Sequence, residues 1–172
     1  MKLSRTAQII IIIVLNIALD QITKIIVRNN MTYGREGEID VLGKYFQLIW
    51  VENKGAFLGM GSDMAPVLKL IFLLILPALV LSYVVYYILK TKTLDRISLI
   101  AFCCIVGGGV ANVFDRIAFG QVTDFMYMEF TDTLKTGIFN FADVSVTTGI
   151  ILLVFSNFLG KKKKNLEEAS VA

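Results

Sequence analysis

Four long apolar segments constrain the fold of this chain more than any other feature of its sequence. They cover about residues 7–27, 66–89, 97–116 and 139–159. A helix needs about 20 apolar residues to cross the hydrocarbon core of a bilayer, and each segment is close to that length. Over the whole chain 56% of the residues are hydrophobic and only 18% are charged, which is unlike an ordinary soluble domain. We therefore expect an all-α membrane protein built as a four-transmembrane-helix bundle.

The first segment has some features of a secretory signal, because Lys2 and Arg5 precede its isoleucine-rich core. No small-residue cleavage site follows it, and Asp20 and Lys24 continue the helical pattern, so we expect a retained span. No repeat, low-complexity stretch or separate soluble segment interrupts the chain. Residues 1–172 are therefore predicted to form a single polytopic membrane domain.

Basic residues are concentrated on one side of this predicted topology. They precede the first span, connect the second span to the third, and follow the fourth span as a run from Lys161 to Lys164. Because lysine and arginine favour cytoplasmic loops, we place both termini in the cytoplasm and the loops at about 28–65 and 117–138 outside. The lysine run is predicted to anchor this topology near anionic headgroups. The net charge of +3 reflects the same asymmetry and does not indicate nucleic-acid binding.

The two outer loops are expected to have structure of their own. The segment KYFQLIWVENKGAFLGM, residues 44–60, alternates and is rich in aromatic and β-branched residues, which predicts short strands with a turn around residues 53–55. Aromatic side chains such as Trp50 and Phe57 suit the membrane surface. The segment FMYMEFTDTLKTGIF, which follows Asp124, predicts a strand or a short interfacial helix that acts as a lid. The bundle is therefore expected to carry a small β-rich outer, periplasmic, region.

The chain has no histidine and two cysteines, which removes several chemistries. Nucleophilic systems that depend on an imidazole base are excluded. Cys103 and Cys104 are adjacent within the third span, so neither a CxxC motif nor a disulfide framework is available, and we interpret both as core residues. A zinc site would need carboxylates alone, which match that metal poorly. We predict no metal and no cofactor.

Polar residues recur at helical spacing in three of the four spans, close to their predicted outer ends. Charged side chains inside a bilayer normally face the bundle interior and have a partner or a task. The simplest interpretation is structural, with Asp20 and Lys24 forming an i,i+4 pair and Arg116 neutralising Asp115. The residues on these faces are Asn16, Asp20, Lys24 and Arg28 in the first span, Gly108, Asn112, Asp115 and Arg116 in the third, and Asn140, Asp143 and Thr147 in the fourth.

Asp124 and Asp143 do not fit the structural interpretation, because neither has a basic residue within four positions. Asp124 lies just outside the third span and Asp143 just inside the fourth, so adjacent antiparallel helices can bring them together. Two aspartates that face each other in a partly dry site share a proton, which supplies a base and an acid without imidazole or metal. The pattern favours an aspartyl hydrolase. The alternatives are a small proton-coupled transporter that uses the same carboxylates, and a non-catalytic assembly factor.

Four short sequence elements resemble those of the bacterial lipoprotein signal peptidases (signal peptidase II). They are LDQITK in the first span, ENKGAF in the outer loop, GGGVANVFDRIAFGQVTDF through the third span, and FNFADVS at the start of the fourth. Their order on a four-span scaffold of this length makes the resemblance specific. It implies an aspartic endopeptidase that cleaves signal peptides from diacylglyceryl-modified prolipoproteins, cutting before the lipidated cysteine.

The resemblance implies that Asp124 and Asp143 are the catalytic pair, with the roles of acid and base left open. The glycines around Gly108 would let a neighbouring backbone approach closely, such as the signal helix of the substrate. The expected partners are lipid-modified prolipoproteins and membrane lipids, and we expect a monomer in the bacterial cytoplasmic membrane. The residues expected to bind substrate or support the pair are Asp20, Lys24, Asn53, Gly55, Gly108, Asn112, Asp115, Arg116 and Asn140.

Overall fold

A bundle of long apolar helices, joined at one end by a small sheet, forms the fold. The computed structural model describes residues 3–56 and 60–171, with side chains as far as residue 159. In this part of the chain four helices are long and apolar enough to cross a membrane, which confirms the predicted bundle. In chain order they are the first helix Arg5–Asn30, the second Pro66–Lys90, the third Arg96–Phe119 and the fourth Phe141–Val171, which is membrane-spanning over Phe141–Leu159.

Local sequence signals explain where two of these helices begin. The Ser4 side chain accepts a hydrogen bond from the main-chain N–H of Ala7 at 3.2 Å, and Asp95 does the same for Ser98 at 3.0 Å. Both are N-caps, which satisfy N–H groups that the first turn of a helix leaves without partners. The third helix ends at Gly120, whose φ of 72° lies in the left-handed region that glycine adopts without strain.

The third helix lies at the centre of the bundle and has the most buried surface of the four. Small residues such as Ala101, Gly107, Gly108 and Ala111 are buried along it, which lets neighbouring helices approach closely. Large apolar side chains on the other helices point outward in great number, as expected when lipid is the solvent. One compact cluster of buried side chains at the end of the bundle away from the sheet consists of Ile9, Ile88, Leu99 and Cys103.

Three antiparallel strands form the sheet, in the order β1 (Ile39–Asp40), β2 (Gln47–Asn53) and β3 (Val122–Tyr127). β2 lies in the first long loop, and β3 follows the third helix almost directly. The antiparallel pairing of β2 with β3 places Val51 opposite Asp124 and Asn53 opposite Val122, with an irregularity between Leu48 and Val51. The strand alternative for the segment around Asp124 is therefore the one that the structure has, up to Tyr127.

The chain returns from the sheet to the fourth helix through Phe139, which exchanges main-chain hydrogen bonds with Met126 of β3 at 2.8 and 2.9 Å. Asn140 follows, and the helix begins at Phe141. Strand β3 and the start of the fourth helix are thus fixed to each other. We call the end of the bundle that carries the sheet the sheet end.

The second helix is irregular close to the sheet end. Its residues Leu70–Ile75 form a π-helical segment, in which the N–H of Leu76 donates to the carbonyl of Ile71. Pro77 follows, and it has no N–H to offer to the carbonyl four residues before it. The wider turn accommodates this missing donor.

Two sequence expectations fall outside the described part of the chain. Phe57, one of the aromatic residues expected at the membrane surface, is not among the described residues, nor are the side chains of the lysines at 161–164.

Candidate active site

Asp124 is buried in the middle of β3, with 3% of its surface exposed. Its carboxylate accepts one hydrogen bond from Asn53 Nδ2 at 2.9 Å and one from Asn140 Nδ2 at 2.6 Å. Burial, together with the charge of the nearby Asp143, raises the pKa of Asp124 to about 7 against the lowering effect of its hydrogen bonds from Asn53 and Asn140. At neutral pH this carboxyl group is therefore present in both its protonated and its ionised forms.

Asp143 lies in the first turn of the fourth helix, where it forms a reciprocal pair of hydrogen bonds with the N-cap residue Asn140. The side-chain Oδ1 of Asn140 accepts from the Asp143 N–H at 2.9 Å, and the Asn140 N–H donates to Asp143 Oδ2 at 3.2 Å. This is the arrangement of a capping box. The carboxylate also lies at the positive end of the helix dipole.

Asn140 connects the two carboxylates. It is fully buried, and its side-chain NH₂ group, which donates to Asp124, also donates to Asn112 Oδ1 at 3.2 Å. Because its main chain and side-chain oxygen are bonded to Asp143, the direction of its NH₂ group is fixed. One residue therefore sets the position of both aspartates, which the sequence predicted to meet.

Asn112 of the third helix provides the second contact to Asp143, with Nδ2 donating to Oδ1 at 3.0 Å. Its own Oδ1 accepts a hydrogen bond from Lys24 Nζ at 2.9 Å. An ammonium group can only donate, so Lys24 orients the amide oxygen toward itself and the NH₂ group toward Asp143. Lys24 is thus connected to Asp143 by two hydrogen bonds through the side-chain amide of Asn112.

Lys24 is the centre of a fully buried charged cluster. Its Nζ lies 2.7 Å from a carboxylate oxygen of Asp20 and 2.7 Å from one of Asp115. Asp20 also accepts the N–H of Ala142, in the first turn of the fourth helix, at 2.8 Å. A buried charge that loses its partner is strongly destabilising, so this cluster ties the first, third and fourth helices together.

Arg116 does not neutralise Asp115, and that expectation is wrong. Residues that are adjacent in sequence point to different sides of a helix, so Asp115 faces Lys24 while Arg116 faces the loop after β2. The guanidinium donates to the carbonyl of Gly55 at 2.7 Å and to the carbonyl of Asn112 at 3.2 Å. Gly55 in turn donates its N–H to Asn53 Oδ1 at 2.9 Å, so Arg116 supports the residue that holds Asp124.

Gly108 has a structural neighbour within the chain. A Cβ atom at this position would overlap the carbonyl oxygen of Ala142 and lie 2.9 Å from a methyl carbon of Val146. The backbone that approaches Gly108 is therefore that of the fourth helix, close to Asp143. The expectation of close approach holds, with the fourth helix as the partner.

Two polar contacts near the site were not singled out from the sequence. Gln21 donates to Asp115 at 2.8 Å and to Asp20 at 3.2 Å, and it lies beside the polar stripe of the first helix rather than on it. Glu52 accepts from Thr123 at 3.0 Å. Its position next to Asn53 in the ENKGAF element was the available signal.

A cavity opens beside each carboxylate. One, of about 460 Å³, is lined mostly by apolar atoms and includes Asp143 and Phe139. The other, of about 410 Å³, is more polar and includes Asp124 and Glu52. Gly137 lines both cavities, so the two spaces adjoin at that residue. In the described part of the chain, no group of three or more His, Cys, Asp or Glu side chains is arranged to hold a metal ion.

Comparisons with known proteins identify the family of this chain. The family model described as Signal peptidase (SPase) II matches residues 12–159. A lipoprotein signal peptidase of Clostridium tetani is 34% identical over 145 residues, which are 84% of this chain and 88% of that protein. One from Vibrio cholerae is 35% identical over 140 residues, 81% of this chain and 80% of that protein. A solved structure described as a bacterial membrane enzyme matches with a TM-score of 0.79 at 28% identity, covering 91% of each chain.

The fold and the site define an integral membrane protein with a shielded carboxylate pair, a combination suited to general acid–base catalysis without histidine. With the similarities above, the class is a membrane peptidase. The chain belongs to the signal peptidase II family, and it is a bacterial inner-membrane protein.

Proposed function

We propose that this protein is an intramembrane aspartic endopeptidase. It removes signal peptides from diacylglyceryl-modified prolipoproteins by cutting before the lipidated cysteine. The observation that carries the proposal is the bridging of two carboxylates, the buried Asp124 and the half-buried Asp143, by the single residue Asn140. The family membership and the names of the relatives support the substrate class. They give no support to the alternative of a proton-coupled transporter.

The two aspartates have different surroundings, which supports different roles. Asp143 accepts hydrogen bonds from the Asn112 side chain and from the Asn140 N–H, and we assign it the role of base. Asp124, whose pKa burial raises to about 7, is assigned the role of acid. This is the pattern in which unequal environments separate two carboxyl groups into acid and base.

The reaction then proceeds in two proton transfers. Asp143 takes a proton from a water molecule as its oxygen attacks the carbonyl carbon before the lipidated cysteine. Asp124 hydrogen-bonds the carbonyl oxygen and passes its proton to the cysteine nitrogen as the C–N bond breaks. Asp143 is left protonated and Asp124 ionised, so the pair must return one proton to Asp124 before the next turnover.

The supporting residues keep this pair in position. Asn112 and Asn140 orient the carboxylates, and the Asp20–Lys24–Asp115 cluster fixes the helices that carry them. Gly108 lets the third and fourth helices approach. Arg116 and Gly55 hold the loop at Asn53, beside the cavity that we assign to the segment after the cleavage site.

The orientation follows from the basic residues at the end opposite the sheet. We place both termini in the cytoplasm and the sheet end, with the aspartate pair, at the outer leaflet. The apolar cavity beside Asp143 then faces the side from which a lipid-modified signal peptide arrives. We propose that one chain, a monomer, forms the complete site, since its own residues supply both aspartates and the amides that orient them.

Cleavage of a purified, diacylglyceryl-modified prolipoprotein in nanodiscs tests this function. Asp124→Asn and Asp143→Asn should each lose about 10²–10⁴-fold or more in rate, the range that a general acid or base contributes. Asp132→Asn is the matched control, because that side chain is 94% exposed at the sheet end. A chelator should leave cleavage by the unmodified protein unchanged.

The result is interpretable only if the variants keep their fold, which thermal unfolding and circular dichroism report. Substantial cleavage by either folded Asp→Asn variant would reject the pair as the catalytic groups. No cleavage by the folded, unmodified protein would reject the peptidase proposal itself.

A further inference from the structure

A smaller cavity at the sheet end, which shares Lys54 with the cavity beside Asp124, has an unusual lining. It has a volume of about 130 Å³ and lies between the second helix and the end of the third. Cationic and apolar groups share its surface. The cations are Lys54, Lys69 and Arg116, and the apolar groups are Leu70, Leu73 and Leu74.

The cations of this cavity form no direct ion pair among the described residues, although Arg116 lies within electrostatic range of Asp124, Asp143 and Asp115. Within the described residues, no Asp or Glu oxygen lies within 4.0 Å of a side-chain nitrogen of Lys54, Lys69 or Arg116. The described hydrogen bonds of Arg116 both go to carbonyl oxygens, which leaves donors of its guanidinium unused. Lys54 and Lys69 have no ion-pair partner among the described residues, and like charges that line one cavity repel each other, so an anion between them is favoured.

The apolar part of the lining comes from the π-helical segment of the second helix, Leu70–Ile75. Leu70 is 49% exposed, on a helix that lies in the bilayer. The leucines therefore continue from the cavity onto the lipid-facing surface. Irregular turns of this kind inside a helix frequently occur at binding sites.

The depth of the cavity matches the level of lipid headgroups. Lys69 is the fourth residue of the second helix, so it lies about 4.5 Å below the helix start at 1.5 Å per residue. Arg116 is in the last turn of the third helix. A long basic side chain at such a position extends toward the membrane surface.

We propose that this cavity binds the phosphate group of an anionic phospholipid, whose acyl chains lie along Leu70, Leu73 and Leu74. Guanidinium and ammonium groups form strong charge-assisted hydrogen bonds to phosphate oxygens, and basic pockets between membrane helices bind lipid headgroups. The diacylglyceryl group of the proposed substrate is linked to cysteine and has no phosphate. The bound lipid is therefore a ligand distinct from the substrate.

The site connects to the aspartate pair through Arg116. The same guanidinium that faces the cavity holds the carbonyl of Gly55, and Gly55 holds Asn53, which donates to Asp124. A phosphate group at Arg116 would fix the guanidinium and, through it, the loop that supports Asp124.

Native mass spectrometry of the purified, delipidated protein with added phospholipid tests the site directly, without a cleavage assay. The protein is titrated with phosphatidylglycerol and, separately, with phosphatidylcholine of the same acyl chains. We expect retention of one phosphatidylglycerol molecule in preference to phosphatidylcholine. Lys54→Gln and Lys69→Gln should each weaken this retention about fivefold, the factor for one basic residue at an anionic lipid surface.

Two controls separate charge at this cavity from charge in general. Lys69→Arg should keep the preference, and Lys90→Gln, at the opposite end of the same helix, should leave it unchanged. Equal retention of the two lipids by the unmodified protein would overturn the proposal, and so would an equal loss in the Lys69 and Lys90 variants. Displacement of the lipid by an equal concentration of glycerol phosphate would show that the acyl chains contribute nothing and would also overturn it. None of these results depends on whether the protein is a peptidase.

Discussion

At the residue scale, the geometry of the site depends on Asn140 more than on any other supporting side chain. Its main-chain N–H and side-chain oxygen bond to Asp143, and its NH₂ group bonds to Asp124 and Asn112. These bonds leave the amide one orientation. An asparagine is well suited to this position because it combines a donor and an acceptor in one rigid group.

The different surroundings of the two aspartates predict a pH dependence of catalysis. The proposed acid, Asp124, must hold a proton, and its protonated fraction falls as pH rises through about 7. The value of kcat/KM should therefore decline by about tenfold per pH unit above that point. The measurement is kcat/KM for the lipid-modified substrate from pH 5 to 9, and a flat profile across this range would contradict the assignment.

Thermal unfolding over the same pH range provides the control. An unfolded chain releases the Asp124 proton near the ordinary value of 3.8, whereas the folded protein retains it up to about 7. Folding therefore becomes less favourable as pH rises from about 4 to about 7, and the contribution is constant above that range. If activity falls between pH 7 and 9 while the unfolding temperature does not, the fall in activity is due to deprotonation of the catalytic group and not to unfolding.

At the same scale, the sequence predicted that Asp124 and Asp143 come together more reliably than it predicted which residues hold them. Asp124 and Asp143 stood out because no basic residue lies near them in sequence. The partner of Asp115 could not be predicted, because it depends on how the first helix packs against the third. Lys24 is distant from Asp115 in sequence and 2.7 Å from it in space. Gln21 was missed for the same reason.

At the scale of elements, the start of the fourth helix must lie close to the third helix for Asp143 to reach Asn112. Gly108 permits this approach, because a Cβ atom there would overlap the carbonyl of Ala142. Gly149 has a similar role six residues after Asp143, where a Cβ atom would lie 2.6 Å from the carbonyl of Ala101. The two glycines therefore lie in the same interface, between the third and fourth helices, at different distances from the site.

This pair allows packing and catalysis to be separated. Gly108→Ala and Gly149→Ala should each destabilise the fold by about 1–3 kcal/mol, the usual cost of an added methyl group in a tight interface. Only Gly108→Ala should also reduce kcat, because it displaces the start of the fourth helix. Thermal unfolding and cleavage rates, measured at a temperature where both variants are folded, test this. An equal fall in kcat for both variants would contradict a local role for Gly108.

Hydrophobic segment length was sufficient to predict the helices, because a bilayer requires long apolar runs. It could not give their irregularities. The π-helical segment Leu70–Ile75 lies inside an apolar run with Pro77 as its only local signal, and the fourth helix begins at Phe141 because Asn140 caps it. The pairing of β2 with β3 joins two loops separated by two membrane helices, which a local pattern does not reveal.

At the scale of the whole molecule, an even number of membrane helices places both termini on one side. The basic residues predict that this side is the cytoplasm. A fluorescent protein fused to the C-terminus should therefore fluoresce, since it folds in the cytoplasm. Alkaline phosphatase inserted at Thr133, in the loop after β3, should be active, because it folds outside the inner membrane. The opposite pair of signals would reverse the proposed orientation and place the aspartate pair at the inner leaflet.

The sheet contains the single tryptophan of the chain, Trp50, a few residues from the amide that holds Asp124. Its ring and that of Tyr33 are nearly perpendicular, with 5.6 Å between the ring centroids. Its indole N–H donates to Glu52 at 2.8 Å. Fluorescence excited selectively in the indole ring therefore comes from this sheet alone, because the helices contain no tryptophan. The protein thus contains an intrinsic optical probe, without any attached dye, for following in real time what happens beside its aspartates.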